Sequence, residues 1–223
     1  MGLTDKLADK LAGAILISGR GSNMKALLEA ARDPLYPVRF RRVVSDRADA
    51  PGLAVAREHG VEALAVERTG TREAHEAALI DAIGAVDLVC LAGFMRVLSA
   101  SVVARWPGRI LNIHPSLLPR HPGLDPHGKA LAAGDTESGC TVHLVTPQVD
   151  AGPILAQARV PVLADDDAGT LAARVLVQEH RLYPAAVADY ARTLMAEGRS
   201  EGRSEGRSEG RSEGRSERGE RAA

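Results

Sequence analysis

The sequence predicts an α/β domain, an open, mainly parallel, twisted sheet with helices on both faces. Three observations predict it. Short apolar runs of strand length alternate with longer amphipathic runs of helix length. The run Val86-Asp87-Leu88-Val89-Cys90-Leu91-Ala92 is nearly continuously apolar, as a central strand covered on both faces must be. The polar and glycine-bearing motifs follow the apolar runs, and ligands gather at the carboxyl ends of strands in open α/β sheets.

Taken in order, strands are expected at 14–18, 38–45, 61–66, 86–92, 110–114, 140–145 and 154–160. Helices are expected at 23–32, 50–60, 71–84, 98–106, 126–134 and 168–194. After residue 134 the strands draw closer together, which admits antiparallel pairing there. The globular patterning covers residues 1–196. From Glu197 the chain repeats Glu-Gly-Arg-Ser five times, so residues 197–223 carry seven Glu, seven Arg and no apolar side chain larger than Ala. That composition cannot offset its ordering entropy by burial, so a disordered tail is expected.

Composition narrows the function. Of 223 residues, 45% are hydrophobic but only 3% aromatic, so a sizeable core must be built from Leu, Val, Ile and Ala. A net charge of −1 argues against a general nucleic-acid or membrane surface, which needs a basic excess. Cys90 and Cys140 sit in apolar runs and read as buried thiols, neither a disulfide framework nor a cysteine metal site. No apolar run is long enough to span a bilayer, and the N-terminus has no signal-peptide pattern, so a cytoplasmic setting is expected. The histidines show no zinc-ligand spacing, and no metal is expected.

Two segments carry chemistry. The first, Ile15-Leu16-Ile17-Ser18-Gly19-Arg20-Gly21-Ser22-Asn23, reads as strand, glycine turn and helix start. Met24 stands where a dinucleotide fingerprint needs its third glycine, and no Walker lysine follows. Free amides at a helix N-terminus suit a small phosphorylated substrate. The equal alternative is a side-chain N-cap by Ser22 or Asn23 with no ligand. The second segment is Asn112-Ile113-His114-Pro115-Ser116-Leu117-Leu118-Pro119. In a strand, positions i and i+2 share a face, so Asn112 and His114 project together. Asp150 follows in the Pro- and Gly-bounded loop Thr146-Pro147-Gln148-Val149-Asp150-Ala151-Gly152-Pro153. Amide, imidazole and carboxylate are the parts that stabilise an oxyanion and move a proton. His127 and His143 read as supporting residues.

With Leu91-Ala92-Gly93-Phe94-Met95-Arg96, these motifs occur in an order that resembles the folate-dependent phosphoribosylglycinamide formyltransferase family over roughly residues 13–190. The resemblance implies a Rossmann-like formyltransferase fold and formyl transfer from the co-substrate 10-formyltetrahydrofolate to glycinamide ribonucleotide in purine synthesis. It implies Asn112, His114 and Asp150 as the catalytic trio. It places the ribonucleotide on Gly21, Ser22, Asn23 and Glu179, and the folate against Arg72, Met95, Arg96, Val97 and Leu98, with residues 145–150 closing over the pteridine. A monomer or homodimer without nucleic acid or membrane partner is expected. One departure is Leu124-Asp125-Pro126-His127, where relatives are expected to be richer in histidine. The alternatives are a 10-formyltetrahydrofolate hydrolase, which should turn folate over without the ribonucleotide, and a non-catalytic folate or nucleotide-binding module, which has no need of all three trio residues.

Overall fold

The computed structural model describes residues 10–209, with side chains to residue 197. Seven strands among the described residues form one sheet in the order β3-β2-β1-β4-β5-β6-β7. They are β1 (Leu11–Ile17), β2 (Val38–Ser45), β3 (Glu62–Ala65), β4 (Leu88–Leu91), β5 (Ile110–His114), β6 (Glu137–Leu144) and β7 (Ile154–Pro161). The first five run parallel; β6 is antiparallel to β5, and β7 to β6. The sequence expectation of a parallel sheet with later antiparallel pairing therefore holds.

Alternation along the strands builds two cores. Ile15, Ile17, Leu88, Cys90, Leu111 and Ile113 pack on one face with α1 (Ser22–Ala30), α2 (Gly52–Glu58), α5 (Pro126–Ala132) and α6 (Ala168–Glu209). Ala14, Leu16, Val89, Leu91 and Ile110 pack on the other with only α3 (Arg72–Ile83) and α4 (Ala100–Val103). Asn112 and His114 share the facing of Ile110 by the two-residue period. They point to the side with fewer helices, where loops rather than a helix close over the end of β5. Buried Tyr183 of α6 ties the strands together, donating to Leu91 O at 2.9 Å and Leu111 O at 3.1 Å.

Two boundaries differ from expectation. The helix foreseen at 98–106 is the single turn Ala100–Val103, because Pro107 disfavours helix in the residue before it. At the other end, α6 does not stop near 194 but runs on to Glu209. The packed part of α6 supplies the costly nucleus, and adding further turns to an existing helix is the cheap step. The rest of the expected tail, 210–223, lies outside the described residues.

Candidate active site

The β5 end gathers the expected trio. His114 is buried, and its Nδ1 lies 3.4 Å from Asp150 Oδ2, while its Nε2 lies 3.0 Å from the His121 carbonyl. Both ring nitrogens thus face acceptors, and only the doubly protonated ring can donate to both. Asn112 Nδ2 contacts His143 Nε2 at 3.0 Å, and His143 Nδ1 contacts Leu144 O at 2.9 Å. A carbonyl only accepts, so His143 Nδ1 donates to Leu144 O. The Asn112 amide carries two N–H groups and at most one points at His143, which leaves the other for another acceptor.

Asp150 is brought in by the loop after β6 and adopts φ 52°, a left-handed conformation. Gly152 makes this loop possible: a Cβ there would stand 1.8 Å from the Leu144 carbonyl oxygen. The Asp150 carboxylate accepts from Gly123 N at 2.8 Å and lies 3.6 Å from His143 Nε2. Burial pushes its pKa up, but His143, the Gly123 N–H and the charge of His114 outweigh this and hold it below the usual carboxylate value.

His143 is therefore more than a distant support, since it touches both Asn112 and Asp150. One signal was readable: Thr141 and His143 repeat the i, i+2 polar pattern of Asn112 and His114. What the sequence lacked was the register, which sets Asn112 opposite His143 and His114 opposite Thr141. His121, at φ 53°, meets His114 through its backbone carbonyl, a contact that no side-chain pattern signals. Asp125 is the N-cap of α5 and accepts from Gly128 N at 3.1 Å, and burial lowers the pKa of the neighbouring His127.

The glycine turn also takes a definite form. Gly21, at φ 71°, is the N-cap of α1, and no side chain caps the helix. The side-chain cap by Ser22 or Asn23 does not occur, so the first-turn amides lack a side-chain acceptor. Across from them, Asn23 Nδ2 donates to Glu179 Oε2 at 2.9 Å, both residues being buried, and Asn23 Oδ1 has no partner. Burial raises the Glu179 pKa. The four residues expected at the ribonucleotide, Gly21, Ser22, Asn23 and Glu179, thus converge.

So do the five expected at the folate. Arg72, Met95, Arg96, Val97 and Leu98 line one cavity of about 290 Å³ with Arg68, His75, Glu76, Leu79 and Phe94. Arg72 donates to Glu76 at 2.9 Å and to Val97 O at 3.2 Å. Met95 is 72% exposed, whereas Leu98 is buried in the core and forms the cavity's inner wall. Among the described residues no group of three or more His, Cys, Asp or Glu is placed to hold a metal ion.

An acid–base cluster with directed donors, a separate loop of uncapped amides and a cavity of mixed apolar and charged lining define an enzyme that moves a small group between two ligands. Comparison with known proteins fixes which: the chain belongs to the formyl transferase family, whose model matches residues 12–187. It is 46% identical over 181 residues to phosphoribosylglycinamide formyltransferase of Escherichia coli, covering 79% of this chain and 85% of that protein. The crystal structure of phosphoribosylglycinamide formyltransferase from Brucella melitensis superposes with a TM-score of 0.78 at 53% identity, covering 82% of this chain and 96% of the other. The trifunctional purine biosynthetic protein adenosine-3 of Drosophila melanogaster is 47% identical over 78% of this chain, which spans 13% of that longer protein.

Proposed function

We propose that this chain transfers the formyl group of 10-formyltetrahydrofolate to the amine of glycinamide ribonucleotide, giving formylglycinamide ribonucleotide and tetrahydrofolate. One observation carries the reading: Asn112, His114 and Asp150 meet at the end of β5, in a chain aligned with most of a bacterial phosphoribosylglycinamide formyltransferase. The amine attacks the formyl carbon, forming a C–N bond and a tetrahedral oxyanion. The free Asn112 N–H donates to that oxyanion, a donor typically worth about 10²–10³ in rate, and the positive charge of His114 beside it stabilises it electrostatically. The intermediate then breaks the bond from carbon to the folate N10. N10 leaves with the electron pair and takes the proton that the amine gives up. Asp150, against both histidines, is the carboxylate that relays it.

The ribonucleotide phosphate sits on the α1 amides, with Asn23 and Glu179 beside it. The folate enters the cavity of Arg72, Met95, Arg96, Val97 and Leu98, where Leu79, Phe94, Val97 and Leu98 offer apolar wall to a flat heterocycle and Arg68, Arg72 and Arg96 offer donors. In this reading residues 145–150, with Val149 exposed among them, close over the pteridine. Among the described residues no helix is long and apolar enough to cross a membrane. The test mixes purified protein with both substrates and follows deformylated folate spectroscopically. Ribonucleotide-dependent turnover is expected; equal turnover without the ribonucleotide makes the enzyme a hydrolase, and binding without turnover makes it a module.

A further inference from the structure

Arg96 lines two cavities at once. One is the cavity of Arg72, Val97 and Leu98; the other, of about 380 Å³, is formed by Ser18, Asp46, Arg47, Met95 and Arg96. The Arg96 Nε donates to Asp46 Oδ2 at 2.5 Å. The carboxylate side chain is 5% exposed and the arginine 36%. The other Asp46 oxygen, Oδ1, is buried without a partner. Nothing in formyl transfer as derived above uses Asp46.

The turn that carries Asp46 is firmly held. Ser45 Oγ accepts from Arg47 N at 3.1 Å, and the Arg47 guanidinium grips Asp49 with bonds of 3.0 and 2.8 Å. Gly52 N donates to Gly19 O at 3.1 Å, joining this turn to the glycine loop. The Arg96 segment is held from the other side, because Ser18 Oγ accepts from Met95 N at 2.9 Å and Ser18 N donates to Gly93 O at 3.1 Å. A carboxylate that takes the Nε of an arginine fixes the guanidinium plane and leaves both terminal nitrogens for another acceptor.

We propose that Asp46 is a positioning residue for the folate co-substrate: it holds Arg96 so that the terminal nitrogens of Arg96 meet the ligand in the adjoining cavity. The inference rests on the formyl-transfer reading. It is tested by steady-state kinetics on both substrates for Asp46→Ala, Asp46→Asn, Arg96→Met and the Asp46→Ala/Arg96→Met double variant, with folate binding measured separately by calorimetry. Asp46→Ala is expected to raise KM for 10-formyltetrahydrofolate about tenfold, as for one charge-assisted contact. KM for the ribonucleotide and kcat should stay within about twofold, since their contacts are untouched. Asp46→Asn, which keeps an acceptor for Nε, should restore most of the affinity. In the Arg96→Met background Asp46→Ala should add nothing, because the two act as one unit. An unchanged folate KM in soluble Asp46→Asn and Asp46→Ala, or additive effects in the double variant, overturns the proposal. Wild-type protein that shows no ribonucleotide-dependent transfer overturns the formyl-transfer reading instead, and calorimetry then reads the Asp46 effect on folate binding without turnover.

Discussion

At the scale of single residues, the site works by holding each polar group between fixed partners. His143 fixes the amide of Asn112 from behind, and the His121 carbonyl fixes His114. His114→Ala should leave binding of both ligands intact while kcat falls by orders of magnitude, measured by calorimetry and single-turnover kinetics. Asn112→Ala should lower kcat by about 10²–10³ through loss of one oxyanion donor; an effect confined to KM would remove it from that role. Asp150 gives a pH signature. Its folded pKa lies below the unfolded value of about 3.9, so it contributes stability above that pH and loses it as pH falls through the folded value. Asp150→Asn should therefore flatten the decline of the urea midpoint between about pH 5 and pH 3. An identical acid slope in the variant would show that other carboxylates dominate. Burial pushes the thiols of Cys90 and Cys140 up to about 12, so both should resist alkylation at neutral pH until the protein unfolds.

At the scale of elements, loops after strands set the chemistry, and backbone conformation sets the loops. The stretch from Leu144 to Pro153 closes on itself where Leu144 N donates to Pro153 O at 2.9 Å. Gly152→Ala forces a Cβ onto the Leu144 carbonyl and must displace the loop that carries Asp150. Its melting temperature and kcat should both fall, with circular dichroism and kinetics as readouts; a fall in stability alone would mean that Asp150 keeps its place. Much of this layer was legible in advance. The strand windows came within a few residues because Val-, Ile- and Leu-rich runs between Gly and Pro leave few alternatives. The helix at 98–106 was too long because its apolar residues, Val102, Val103 and Trp106, read equally well as a longer helix and as one turn followed by packed loop.

At the scale of the whole molecule, the seven-stranded sheet makes a site by leaving one face lightly covered. α6 packs against the other face through Leu171, Val175, Tyr183 and Val187. Residues 197–223 have the composition of an appendage, so removing them should leave activity and melting temperature nearly unchanged. A large loss in either would show that the repeats pack or bind. The sequence by itself determined the element order, the shared face of Asn112 and His114, and the glycine turn that opens α1, because these follow from local periodicity and backbone freedom. It also carried enough motif to imply the family. Only the tertiary structure decided that His143 stands opposite Asn112, that the His121 carbonyl meets His114, and that Asp46 grips Arg96. Those contacts join residues distant in the chain, and the strand register and loop conformations that create them are set by packing of the whole sheet.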